Sequence, residues 1–269
     1  MEEPDLKKEN DGKRKGKTAR EKGEHPAALK VLTQALTVVC GLVMLVSIGV
    51  VFVLNFRPLY YFDIEYLGIE ASSGLDASQI RENYDALIDY NSFFYDGDLE
   101  LPTLSMSESG RTHFAEVKDI FNVMYVLSAV TFVLFVAVFI LSWRVNNKNL
   151  RAAGALIGGI PLLCGALMIA FFDRVFVLFH NVLFDNDYWL FDPATDPVIN
   201  ILPEEFFMQC GVIIVLFPVI GGAVLFAVSA AKTGRKKNPQ GRPGKRQGWG
   251  KINQSPKKLE MTIRTCDGM

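Results

Sequence analysis

Only three of the 269 residues are histidine and four are cysteine, and residues 31–56, 120–143, 152–172 and 206–231 contain no Asp, Glu, Lys, Arg or His at all. Each shortage excludes something. A helix of about 20 apolar residues spans the bilayer core, so four charge-free runs of 21 to 26 residues exclude a soluble globular domain. Lipid admits helices or closed barrels, and these runs lack the alternation of barrel strands. There is no HExxH, no Cys pair, no Walker loop and no GxSxG, which removes the best-marked metal, nucleotide and serine-hydrolase chemistries. Asp185-Asn186-Asp187 lacks the Gly and distal Glu of a calcium loop and reads as a turn. No internal repeat is present. The first run is too long for a signal peptide and no small-x-small site follows it. Thr37-Val38-Val39 before Cys40 lacks the small residue of a lipoprotein signal, so the chain is expected not to be a lipoprotein itself.

What charge there is falls unevenly. Residues 1–30 hold nine Lys/Arg, 144–151 hold three and 232–269 hold eleven, whereas 57–119 hold four against thirteen acids and 173–205 one against seven. Thus 23 of 28 basic residues lie on one face, which the positive-inside rule assigns to the cytoplasm. The expected organisation is a basic, disordered cytoplasmic tail over 1–30, a four-span domain over 31–231 and a second basic, disordered cytoplasmic tail over 232–269. Loops 57–119 and 173–205 are then external. The external loops contain no cysteine, so an exofacial disulfide is excluded. Cys40, Cys164 and Cys210 fall in spans and Cys266 in the tail. Seven of the eight tyrosines lie in the external loops and Tyr125 near the outer end of span 2, an interfacial aromatic belt.

Within the first loop, residues 59–67 are rich in β-formers and partly alternating, which predicts a strand. Asp76 and Gln79 form a capping box ahead of Ile80, Tyr84, Leu87 and Ile88, which predicts a helix ending near Asn91. A second short strand is expected over 93–101. A helix beginning near Ser107 runs into span 2, with Gly110 as its weak point. In the second loop, 175–184 is again apolar with helical spacing, and Pro203-Glu204-Glu205 suits the first turn of span 4. The fold class expected is an α-helical four-span bundle with a small extracellular α/β cap. Gly158-Gly159 and Gly221-Gly222 suit close helix packing.

His25 lies in the basic tail. His113 precedes span 2 and His180 follows span 3. Spans 2 and 3 are joined by a short turn, which predicts that they are neighbours with both histidines at one height on the outer face. Imidazole titrates near neutrality, so a converging pair is a candidate acid–base site. A competing reading takes His113, Glu116 and His180 as zinc ligands of an exofacial hydrolase.

Leu101-Pro102, Ser107-Glu108, His113, Glu116-Val117-Lys118 and Phe121 form one signature. Phe179-His180, Leu183-Phe184, Asn186-Asp187, Trp189-Leu190, Asp192-Pro193, Asp196, Ile199, Pro203 and Phe206-Phe207 form a second. Together with the helix around Asn83, Tyr84, Leu87 and Tyr90, they resemble the lipoprotein intramolecular transacylase family of Gram-positive bacteria over about residues 30–232. Glu116 stands where that pattern has Asp. The resemblance implies an acyltransferase of the cell membrane that needs no cofactor and no metal. Its implied partners are diacylglyceryl-modified lipoproteins and membrane lipid, and nucleic acid is not among them. It moves the sn-2 chain of the modified cysteine to that residue's own α-amine, giving the lyso form. It also implies that His180 and His113 are catalytic and that Glu116, Asn186, Asp187 and Tyr84 support them. The alternative on the same scaffold is a non-enzymatic membrane sensor or assembly subunit.

Overall fold

The computed structural model describes residues 26–145 and 147–237, so the tails expected to be disordered lie outside the described residues except where 26–30 and 232–237 extend the first and last helices. Among the described residues all regular structure is helical. Four long helices are apolar enough to cross a membrane: α1 (Ala27–Asn55), α5 (Glu108–Val145), α6 (Asn147–Ala170) and α8 (Glu204–Lys237). The protein is a multi-pass membrane protein. The 38 residues of α5 extend roughly 57 Å at 1.5 Å per residue, far beyond the ~30 Å hydrocarbon core. Its charge-free part, 120–143, is by itself long enough to cross that core, which leaves 108–119 as extra length at its N-terminal end.

Helix α1 sits at the centre and packs on α5, α6 and α8, while α6 packs most extensively on α8. The expectation that spans 2 and 3 are close neighbours is corrected here. A tight connection joins α5 and α6, but each packs mainly on another helix, and direct contact between them is slight. A short turn constrains the near ends of two helices and leaves the rest to side-chain packing. Glycine makes the α6–α8 contact possible. A Cβ on Gly154 would stand 2.7 Å from Gly222 O and from Phe226 N, and one on Gly222 would stand 2.6 Å from Gly154 O. Gly158 belongs to the same crossing, whereas Gly159 faces open space. Between α1 and α5 a polar tie serves instead: the Thr37 and Ser142 hydroxyls lie 2.9 Å apart, and Ser142 Oγ also donates to Thr33 O at 3.2 Å.

At the other end of the bundle, α2 (Arg57–Tyr66), α3 (Ile69–Ser73), α4 (Ala77–Tyr90) and a 3₁₀ turn (Pro197–Ile201) form a cap. The expected α/β character of this cap is not found. Residues 59–67, predicted as a strand, are the helix α2, and 93–101 are turns and irregular chain. The reason is burial at helical spacing: Tyr60, Asp63 and Ile64 face inward while Phe62 and Tyr66 stack on each other outside, and Pro58 opens the first turn. Fully buried Tyr60 stacks on Tyr84 (centroids 3.6 Å apart) and its hydroxyl donates to Ile201 O at 2.6 Å. Those tertiary contacts outweigh the β-propensity of the aromatics. Helix α4 follows the expected pattern, with Asp76 Oδ1 accepting from Gln79 N (2.9 Å) and Gln79 Oε1 from Asp76 N (3.2 Å). Arg57 ties α2 to α4 by donating to Asp85 (2.8 Å) and Asp89.

The charge-poor run after span 3 is a separate helix, α7 (Phe172–Leu183), set off from α6 by a break at Phe171. None of its residues is fully buried. Val182 is 74% exposed and Leu178 61%. An amphipathic helix with one bare apolar stripe at a bundle end suits the membrane interface.

Candidate active site

The site is built where the projecting turns of α5 meet α7 and the loop after it. Helix α5 starts where it does because Ser107 caps it: Ser107 Oγ accepts from Gly110 N at 3.0 Å. Asp196, from the second loop, accepts from Ser107 N at 2.7 Å, placing a carboxylate at the positive helix end. Burial alone would raise the Asp196 pKa, but hydrogen bonds from Thr195 and Ser107 hold it below the ordinary carboxylate value. Gly110 is therefore no defect. A Cβ there would collide with Asp196. This cap fixes the turn that carries His113, 5% exposed, and Glu116 one turn further on.

His180 is on α7. Its Nδ1 lies 2.8 Å from Phe176 O. A carbonyl only accepts, so Nδ1 carries the hydrogen and Nε2 keeps the free lone pair. The imidazole centroids of His113 and His180 are 6.1 Å apart with 32° between the ring planes, close enough to flank one functional group. Their surroundings are aromatic. His113 meets Phe184 (4.7 Å, edge-on) and Phe191 (5.5 Å, edge-on), and His180 meets Phe176 (4.2 Å) and the stacked ring of Trp189 (4.6 Å). Burial lowers the pKa of both histidines below 6.5. Coulombic repulsion from His180 lowers that of His113 further, while the Phe176 carbonyl opposes the shift of His180 without reversing it. Both shifts favour the neutral ring at pH 7.

The supporting residues separate. Asn186 Nδ2 donates to Glu116 Oε1 at 2.8 Å, joining the loop to α5, and Glu116 Oε2 is buried without a partner. His113 Nδ1 and Trp189 Nε1 are also buried without partners among the described residues. Asp187 is exposed, and its carbonyl accepts from Leu190 N at 3.0 Å to close a turn. The ring partners of Tyr84 are Tyr60 and Phe206 in the cap core, so the structure does not bring it against the histidines. Among the described residues, no three His, Cys, Asp or Glu side chains assemble as a metal-binding set, so the His113, Glu116 and His180 ligand triad is not formed. Sequence reasoning missed the walls of the site. Phe176 and Phe184 stand four residues before and after His180, a spacing that places all three on one stripe of α7.

Four helices apolar enough to cross a membrane, with a buried and a half-buried histidine brought together from separate elements at one end, define a polytopic membrane protein with a candidate acid–base site. The profile of the family described as lipoprotein intramolecular transacylase Lit matches residues 35–207, and the chain belongs to that family. It is similar to the structure of the membrane integral lipoprotein intramolecular transacylase Lit from Bacillus cereus, at 34% identity with a TM-score of 0.73, covering 79% of this chain and 99% of that one. Two variants of the same Bacillus cereus protein, with a histidine replaced by arginine or by alanine, match at 34% identity and a TM-score of 0.69. The arginine variant covers 79% of this chain and 96% of its own, the alanine variant 78% and 96%. No curated protein matches the chain.

Proposed function

We propose that the chain moves the sn-2 acyl chain of a diacylglyceryl-modified N-terminal cysteine to that cysteine's own α-amine, giving a lyso-form bacterial lipoprotein. The observation that carries this reading is the pair of imidazoles 6.1 Å apart, His113 buried and His180 half-buried, among aromatic rings. An α-amine has a pKa of about 8 and is largely protonated at neutral pH, so the nucleophile is its neutral fraction, the ammonium proton having gone to solvent. The neutral amine nitrogen attacks the ester carbonyl, and His180, with its Nε2 lone pair, takes the one further proton that the nitrogen sheds as the bond forms. When the tetrahedral intermediate collapses, the carbon–glyceryl oxygen bond breaks and His180 returns the proton to that oxygen. His113, on the facing wall, hydrogen-bonds the departing glyceryl oxygen. The free oxygen of Glu116 holds the amine, and Asn186 holds Glu116. Asp187, through its turn, and Tyr84, through the cap core, support the site indirectly. Amide formation from an ester is downhill, so the step draws on no nucleotide. Amine and ester belong to one molecule, so positioning supplies much of the rate.

The charge distribution supports a setting in the cell membrane of a Gram-positive bacterium with both termini cytoplasmic and the cap outside, since 23 of 28 basic residues lie off the cap side. The histidines then stand at the outer boundary of tails and headgroups, where the substrate's esters lie.

A crossover experiment tests this reading. Two diacylglyceryl-cysteine lipopeptides of different sequence, one with deuterated acyl chains, are mixed in vesicles with the purified protein. The transfer is an isomerisation, so intact mass is constant and fragmentation reads the product. The expected product carries on each amine a chain bearing that peptide's own label. Scrambled labels, or no amide, would contradict the reading.

A further inference from the structure

We propose that Trp189 is the oxyanion donor of this site, its Nε1–H donating to the ester carbonyl oxygen as the tetrahedral intermediate forms. The inference rests on the transacylase reading and adds a residue to it. Three observations point to it. The indole stacks on His180, centroids 4.6 Å apart and planes 29° apart, so donor and base lie side by side. Nε1 is buried and has no hydrogen-bond partner among the described residues. An indole N–H is a donor only, so just one kind of group can complete it: an acceptor. Buried polar groups in native proteins are overwhelmingly paired. Trp189 Nε1 belongs to the ring stacked on His180, and His113, whose ring is 6.1 Å from His180, carries a second orphan at Nδ1, so two donor-or-acceptor atoms without partners among the described residues flank the same imidazole.

The other roles leave this one open. His180 spends Nδ1–H on the Phe176 carbonyl and needs Nε2 for the amine proton. Glu116 bears an acceptor oxygen suited to the amine and unsuited to a developing negative charge. His180 and Trp189 both belong to the segment running from α7 into its loop, and His180 faces His113 on α5. The carbonyl carbon gains its bond to nitrogen, the carbonyl electron pair moves onto oxygen, and Trp189 stabilises that charge without transferring its proton. In a site walled by Phe176, Phe184 and Phe191, water competes little for that bond.

The test compares wild type, Trp189→Phe and His180→Ala, each full-length in vesicles with a synthetic diacylglyceryl-cysteine lipopeptide. Trp189→Phe keeps an aromatic face against His180 and removes the donor. Loss of one oxyanion donor costs roughly 10²- to 10³-fold in kcat, and that fall is expected with KM and thermal midpoint unchanged. A second variant guards against a folding defect: 3-benzothienylalanine at position 189 keeps the bicycle and replaces N–H with sulfur, and it should show the same fall. Wild-type kcat in either folded variant, with His180→Ala inactive, overturns the role of Trp189 and leaves the transacylase reading standing. A full rate in His180→Ala overturns the reading itself and this inference with it.

Discussion

Two neighbours and partial burial suit His180 to the proposed role of base: the Phe176 carbonyl fixes its tautomer, Trp189 stacks on its plane, and burial lowers its pKa. The sign of that last effect sets a pH profile. With its pKa lowered from 6.5 by burial, the imidazole takes up its proton only after the substrate amine, with a pKa of about 8, has been protonated. The logarithm of kcat/KM should fall with a slope near one as pH drops from 8 to 6.5 and steepen toward two only below 6.5. A slope near two already at pH 7 would contradict burial of the base. Both histidines also resist protonation in the fold more than in the unfolded chain, so stability is lost as pH falls below 6.5. Rates remeasured after return to pH 7.5 separate titration from unfolding. At this scale the histidines themselves were legible because imidazole is rare in so apolar a chain. The Glu116–Asn186 bond was not, because it joins side chains 70 residues apart and depends on the path of a loop.

Elements were legible where local chemistry decides them. The capping box of α4 and its inward stripe of Ile80, Tyr84, Leu87 and Ile88 need nothing beyond their own segment. Helix α2 was misread because aromatic content resembles a strand, while the buried stripe Tyr60, Asp63 and Ile64 takes its meaning from α4 and Ile201. The end of span 3 was legible as more helix, and its break at Phe171 was not, since no proline or glycine marks it. The crossing of α6 on α8 carries a testable consequence. Gly222→Val would press two methyls into the Gly154 and Gly158 backbone and should destabilise the bundle by about 1–3 kcal/mol, the usual cost of overpacking. Gly159→Val, where a Cβ meets nothing within 4 Å, should leave the thermal midpoint in detergent unchanged. Equal midpoints for the two variants would contradict the crossing.

On the scale of the molecule, four charge-free runs determine four spans, and charge asymmetry distinguishes the two faces. Helix order in the bundle was not legible. Apolar surfaces facing lipid or protein look alike in sequence, and the central place of α1 rests on small contacts such as Gly41 against Ile157 and Phe135. Convergence of the histidines was anticipated for an incomplete reason. It depends less on adjacency of α5 and α6 than on α7 turning its His180 stripe against the projecting end of α5. The bundle holds that end in place, and the cap and the second loop cap it through Asp196. The most direct measurement is fragmentation mass spectrometry of a lipoprotein's N-terminal peptide from a bacterial host that has no N-acylation of its own. Expression of this chain should place one acyl chain on the cysteine nitrogen and leave one ester, and His180→Ala or His113→Ala should cut that product by about 10²- to 10⁴-fold. A free amine with both esters intact beside folded wild-type protein, or an undiminished amide in the His180→Ala strain, would contradict the account.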